Sequence, residues 1–112
     1  MKKLEAIIRP STFNAVQKAL LEIGITAMTI NKVHGIGHQE GYLETYRGIS
    51  RRNDIVPNIK LEIIVDDPLV KDCIEVISAA ARTGKVGDGK IFISNIEKIV
   101  RIRTGDIDLK AL

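Results

Sequence analysis

Tryptophan is absent from this chain, cysteine occurs once, proline three times, and the aromatic set is two tyrosines and two phenylalanines. Each scarcity excludes something. A lone thiol, Cys73, forms no internal disulfide and completes no metal-ligand cluster, so the reducing cytoplasm is the expected compartment. No apolar run approaches the roughly 18–20 residues of a membrane span. The opening Met1-Lys2-Lys3-Leu4-Glu5 lacks the apolar stretch of a secretion signal. Four aromatics cannot supply the stacking platforms with which sheet-based RNA binders hold bases. Charge argues the same way: 17 Lys+Arg against 14 Asp+Glu leave +3, with no basic run longer than two. No nucleic-acid partner is expected.

What is present is 112 residues, 45% of them apolar, enough for one compact domain spanning 1–112 but too few for two. Leu4, Ala6 and Ile8 alternate with Glu5, Ile7 and Arg9 in a first strand, predicted over 3–9 and ended by Pro10. Ser11 is placed to cap a helix whose apolar stripe is Phe13, Val16, Leu20 and Ile23, with Gly24 at its C-terminal end. A second strand is expected from Ile25 to about His34, and a third beyond Pro57 through Leu61, Ile63 and Val65. Asp67-Pro68 reads as N-cap and first-turn proline of a second helix, striped by Val70, Cys73, Ile74, Ile77 and Ala81 and closed by Gly84. Ile91-Phe92-Ile93 and 96–103 read as two short strands or one interrupted strand, and 105–112 as a loosely held tail.

The order is strand–helix–strand, long connection, strand–helix–strand. Right-handed crossovers place both helices on one side of a single sheet, giving an α+β, ferredoxin-like βαββαβ two-layer sandwich. The helix-free face would carry Ile7, Met28, Ile30 and Ile64, a large apolar patch for a monomer, so a homo-oligomer is expected. Between Gly35 and about Val56 the periodicity disappears. An irregular connection of that length in a small domain marks a binding loop or an idle hairpin.

The sharpest local signal is Thr83-Gly84-Lys85-Val86-Gly87-Asp88-Gly89-Lys90. Its glycines let backbone N–H groups converge on an anion, and Lys85 and Lys90 add charge. A tight helix-to-strand turn explains the same glycines. The spacing is not that of a Walker loop. Arg101 and Arg103, two apart on a predicted strand, would share one face and hold a polyphosphate by charge-assisted hydrogen bonds, or form a solvated charged edge. Glu62 is either an acceptor for a ligand amino group or a rim carboxylate. His34 and His38 bracket Gly35 and Gly37 in a predicted turn, and no further ligand completes a metal site. No catalytic constellation is visible, and a binding module is favoured.

These residues carry a family resemblance. Met1 to about Gly105 resembles the PII signal-transduction proteins of nitrogen metabolism, through Lys2-Lys3-Leu4-Glu5-Ala6-Ile7-Ile8-Arg9-Pro10, Gly24-Ile25-Thr26-Ala27-Met28-Thr29 and Tyr46-Arg47-Gly48. Its most specific stretches are 83–92 and Arg101-Ile102-Arg103-Thr104-Gly105. The resemblance implies a homotrimer binding ATP or ADP competitively in clefts between subunits, with AMP a further candidate. It implies Gly87, Asp88, Gly89, Lys90, Arg101 and Arg103 at the phosphates, with 83–90 as the phosphate loop and 101–112 as a C-terminal segment. Met28, Thr29, Glu62 and Ile64 would surround base and ribose, and Gly35, Ile36, Gly37 and His38 would line the cleft. Residues 37–55, between the second and third strands, would be the T-loop that docks on a target, with Tyr42, Tyr46, Arg47, Arg51 and Arg52 as contacts. The family's usual targets are ammonium and other membrane transporters and nitrogen-assimilation enzymes, so recruitment from cytoplasm to membrane is implied.

Departures from the pattern fall in that loop. The family's uridylylated tyrosine position is Arg51 here, and the position that some members phosphorylate is Ile49, so neither standard modification is expected; Ser50 is one residue away. Gln39 matches the glutamine that, in members sensing 2-oxoglutarate, helps hold magnesium beside the nucleotide, whereas the position of the lysine that pairs with the distal carboxylate of 2-oxoglutarate is Asn58. His38 replaces an arginine and Glu40 a lysine. Losing one charge-assisted contact of about 1.5–3 kcal/mol weakens binding tenfold or more, so weak or absent 2-oxoglutarate sensing is expected with nucleotide binding kept. The expected function is a non-enzymatic energy sensor. A small phosphate-processing enzyme on the same topology, an acylphosphatase-like hydrolase or slow ATPase, is the alternative.

Overall fold

The computed structural model describes residues 1–36, 42–46, 49–53 and 55–112. Strand β1 (Lys2–Ile8) leads through a 3₁₀ turn (Pro10–Thr12) into helix α1 (Phe13–Glu22). Strand β2 (Thr29–Ile36), a hairpin of β3 (Tyr42–Tyr46) and β4 (Ile49–Asn53), and the long β5 (Ile55–Val65) follow. A second 3₁₀ turn (Asp67–Leu69) opens helix α2 (Val70–Ala81), and β6 (Gly89–Asn95) completes the main sheet. Its order is β2-β5-β1-β6, with every neighbouring pair antiparallel. This is the expected ferredoxin-like βαββαβ arrangement, with a separate β3-β4 ribbon inserted between β2 and β5.

Alternation decides the core. Leu4, Ala6 and Ile8 of β1 and Ile59, Leu61, Ile63 and Val65 of β5 all point to the helices. There they meet Val16 and Leu20 of α1 and Cys73, Ile77 and Ala81 of α2. Each large side chain buried there contributes about 1.5–3 kcal/mol. Helix α1 ends in a Schellman motif. Gly24, at φ +90°, donates to the carbonyl of Leu21, and Ile25 donates to that of Leu20.

Several local expectations are corrected. Ser11 caps nothing: it lies inside the 3₁₀ turn, and Thr12 Oγ1 donates to the carbonyl of Arg9. Asp66, not Asp67, is the side-chain cap of the second turn, accepting from the N–H of Asp67. The Asp67 carboxylate instead pairs with the Met1 amine at 2.8 Å, and that bond holds its pKa below the ordinary aspartate value. Helix α2 closes at Arg82, in extended conformation, so Gly84 belongs to the following loop. Strand β2 begins at Thr29 rather than Ile25. Pro57 sits within β5, opposite His34. It is tolerated because the β1 pairing of β5 starts only at Ile59, leaving Pro57 with a single neighbouring strand.

The helix-free face mixes apolar and charged residues, and two of the four apolar residues expected on it lie elsewhere. Lys3, Glu5 and Ile7 of β1 stand opposite Ile64, Glu62 and Lys60 of β5. Two ion pairs run along the strands, Lys3–Glu5 at 2.8 Å and Lys60–Glu62 at 3.4 Å. The hydrogen bond from Lys3 holds Glu5 below the usual carboxylate range and in return raises Lys3. Ile30 pairs with Leu61 and so lies on the helix side, at the open edge of β2, while Met28 precedes β2 and packs against the core. Only Ile7 and Ile64 of the four lie on the helix-free face.

Residues 96–103 form no strand, and 105–112 are not a loose tail. Val100 bridges Ile107, Asp108 donates its N–H to the carbonyl of Ile99, and a 3₁₀ turn over Asp108–Ala111 ends the chain.

Candidate functional site

The loop after α2 is organised around one carboxylate. Asp88 Oδ2 accepts from the N–H groups of Thr83 at 2.8 Å and Gly84 at 2.9 Å, while its Oδ1 accepts from the Thr83 hydroxyl and from Arg9 Nε at 3.2 Å. The Thr83 hydroxyl bond, with the backbone donors and Arg9 behind it, holds Asp88 far below the ordinary aspartate value. Lys85 N–H donates to Thr83 Oγ1, and Arg9 Nη2 donates to the carbonyl of Val86. Three loop N–H groups are thereby taken up inside the loop. Among the described residues, no hydrogen bond takes up those of Val86 and Gly87, which both line the cleft described next, and unengaged backbone donors of this kind suit an anion.

Gly89 fixes the loop to the sheet. At φ +109° it pairs with Ile8, and a Cβ there would stand 1.7 Å from the carbonyl oxygen of Ile7. Only glycine allows this approach, which sets the loop beside the end of β2. The result is a cleft of about 510 Å³ lined by Gly35, Ile36, Gly87, Asp88, Gly89 and Lys90, with Ile7, Asn58, Lys85, Val86 and Phe92 around them. The glycines and Lys90 read from the sequence as phosphate ligands come together here. The Asp88 side chain, in contrast, is spent on the loop itself.

Met28, Thr29, Glu62 and Ile64 lie elsewhere, in a second cleft of about 580 Å³ that also takes in Ile99, Ala111 and Leu112. Six residue steps along β2 separate Thr29 from Gly35, roughly 20 Å of strand. No small ligand spans both clefts of one chain.

Arg101 and Arg103 do not share a strand face. Residues 102–104 form a turn, closed by the bond from Gly105 N–H to the Arg101 carbonyl, and Ile102 is fully exposed. The local glycine and threonine chemistry of Thr104-Gly105 favours turning over pairing. Arg101 Nη2 donates to the carbonyls of Ala111 and Leu112, both on the wall of the second cleft.

Gly37, His38, Gln39 and Arg47 lie outside the described residues, as does Glu40. For Tyr42, Tyr46, Arg51 and Arg52 the strand pairing of the ribbon is described, Tyr42 opposite Asn53 and Tyr46 opposite Ile49. His34 and Gly35 are strand residues of β2, not a turn, and His34 is exposed. Among the described residues no cluster of His, Cys, Asp and Glu is set to hold a metal. Sequence reasoning missed Arg9, Ile7 and Phe92. The signal for Arg9 was its place at the mouth of β1, where Ile8 pairs with Gly89; that pairing is a register fact, invisible in periodicity.

Comparison with known proteins agrees with this construction. Residues 1–106 match the family described as nitrogen regulatory protein P-II. The nitrogen regulatory protein P-II of Pasteurella multocida is 49% identical over 106 residues, covering 95% of each chain. The nitrogen regulatory protein P-II 1 of Escherichia coli and the nitrogen regulatory protein P-II of Klebsiella oxytoca are each 46% identical over 112 residues, the whole of both chains. These relatives are named as regulatory proteins rather than enzymes, which leaves the phosphate-processing alternative without support. Fold, loop and full-length identity together establish that the chain belongs to the nitrogen regulatory protein P-II family.

Proposed function

We propose that the chain is an adenine-nucleotide sensor in which ATP and ADP compete for a cleft between two subunits of a homotrimer. One observation carries this reading: the candidate ligands divide into two clefts, each half complete, roughly 20 Å apart on one chain. A neighbouring copy that sets the second cleft against the first would enclose a nucleotide. Its phosphates would meet Gly87, Gly89 and Lys90 with Arg101 and Arg103 of the neighbour, and its base Met28, Thr29, Glu62 and Ile64. The unengaged N–H groups of Val86 and Gly87 and the Lys90 ammonium fit a phosphate chain.

Occupancy then biases residues 37–55, which dock on a target of the family's kind, an ammonium or other membrane transporter or a nitrogen-assimilation enzyme. This control requires the loop's conformers to differ in nucleotide affinity. The working compartment is the cytoplasm, with the target drawing the protein to the membrane. Among the described residues no helix is long and apolar enough to cross one.

Asn58 lines the first cleft with a neutral amide where the family's 2-oxoglutarate-binding members carry a lysine. A dicarboxylate placed there gains no ion pair, which supports nucleotide sensing without a strong 2-oxoglutarate response. Isothermal titration of the native oligomer with ATP, ADP and AMP, and with 2-oxoglutarate in the presence of MgATP, tests the reading. Micromolar nucleotide binding with no 2-oxoglutarate heat is expected. A monomer that takes up no nucleotide overturns the function, and micromolar 2-oxoglutarate binding overturns the role given to Asn58.

A further inference from the structure

We infer that Arg9 is the positioning residue of the anion-binding loop: its guanidinium latches Asp88 and the Val86 carbonyl so that the donors of Val86 and Gly87 face the cleft, without touching the anion itself. The inference deepens the nucleotide reading above and rests on it for the identity of the ligand.

The geometry has three parts. Arg9 sits one residue beyond β1, whose last residue Ile8 pairs with Gly89, so the rigid sheet delivers its side chain to the loop. Its Nε donates to Asp88 Oδ1 at 3.2 Å and its Nη2 to the carbonyl of Val86, two points on either side of Gly87. Only a planar fork of fixed donors reaches both at once; an ammonium on a flexible stem serves one. The same Asp88 carboxylate gathers the N–H groups of Thr83 and Gly84. Arg9 is not part of the cleft's lining, whereas Lys90 is. Its charge is answered by Asp88, so its contribution to an anion is indirect: it keeps the loop's one carboxylate neutralised and turned inward. Without it, a bare carboxylate stands next to the phosphate position.

Two arms test this. The first uses the nucleotide-free protein and hydrogen–deuterium exchange. Arg9→Ala is expected to speed exchange of the Thr83 and Gly84 amides about tenfold, while the β1–β6 amides of Ile91 and Ile93 stay as in the parent. The second measures affinity for ATP and for adenosine. Arg9→Ala is expected to lower ATP affinity about tenfold, because the uncompensated Asp88 carboxylate then repels the phosphates, and to leave adenosine unchanged. Arg9→Lys should recover only part of the loss, and Arg9→Ala combined with Asp88→Asn should bind ATP no more weakly than Arg9→Ala alone. Unchanged loop exchange in Arg9→Ala overturns the latch. So does full rescue by Arg9→Lys, or losses that multiply in the double variant, either of which marks Arg9 as a direct phosphate ligand. If the parent protein binds no adenine nucleotide, the functional reading fails, and the exchange arm still decides the latch.

Discussion

At Gly89 a single methyl group separates a built loop from a broken one. Its Cβ would meet the Ile7 carbonyl oxygen at 1.7 Å, against backbone that cannot swing aside, and its φ of +109° is closed to other residues. Gly89→Ala is expected to lower unfolding free energy by about 1–3 kcal/mol, read by urea denaturation. Three carboxylates, Glu5, Asp67 and Asp88, are held below their ordinary values, each first by a hydrogen bond to its partner. A depressed carboxylate stabilises the fold above its unfolded pKa, and that stabilisation is lost as pH falls through the folded value. Thermal stability should therefore be flat from neutral pH to about pH 4.5 and decline below it, where unfolded carboxylates begin to take up protons. A melting curve that already falls between pH 7 and pH 5 would place the sensitive group elsewhere. Asp67 is exposed and Glu5 and Asp88 are half-buried, so solvent screening reduces the effect most at Asp67.

At the scale of elements, β5 is the strand on which the rest depends. It pairs with both β1 and β2, and four of its residues are buried against the helices. Ile63→Ala is expected to cost about 2–5 kcal/mol, measurable as a shift in denaturation midpoint with the m-value unchanged. Alternation and helical spacing exposed most such elements in the sequence, because one buried face imposes a period of 2 or 3.6. They failed where burial does not dictate the period. The run 96–103 has apolar residues enough for a strand, but among the described residues it joins no ladder of the main sheet. A single bridge and a turn resulted, and the two arginines lost the common face that spacing had given them. The β3-β4 ribbon was unreadable for a different reason: among the described residues it forms a two-stranded sheet of its own, apart from the pairings that set the alternation of the main sheet.

For the molecule as a whole, the proposed oligomer rests on the divided site. The helix-free face carries ordered ion pairs together with Ile7, Ile64 and the exposed Phe92, which stands opposite Glu5, and further apolar exposure sits at Ile30 on the β2 edge and on the C-terminal segment. Light scattering is expected to give three subunits. Mixing nucleotide-free subunits of Lys90→Ala with subunits of Arg101→Ala should restore some intact clefts, since the two residues would reach a shared ligand from different chains. Binding that is absent from every mixed trimer, with both parents inactive and subunit exchange confirmed, would place both residues on one chain's site.

The order of the main-sheet strands and the two helices, the helix stripes, the buried strand faces and the glycine-lysine loop were determined by the sequence alone, since each is a local consequence of side-chain period and backbone freedom. Strand register and the path of the C-terminal segment were decided only in three dimensions, because both depend on which distant residues meet. Register brought Arg9 to Asp88, and the folded C-terminus brought Arg101 to the second cleft. Parting of the candidate ligands into two surfaces has the same origin: 20 Å of rigid strand lie between residues that a linear reading sets only six apart.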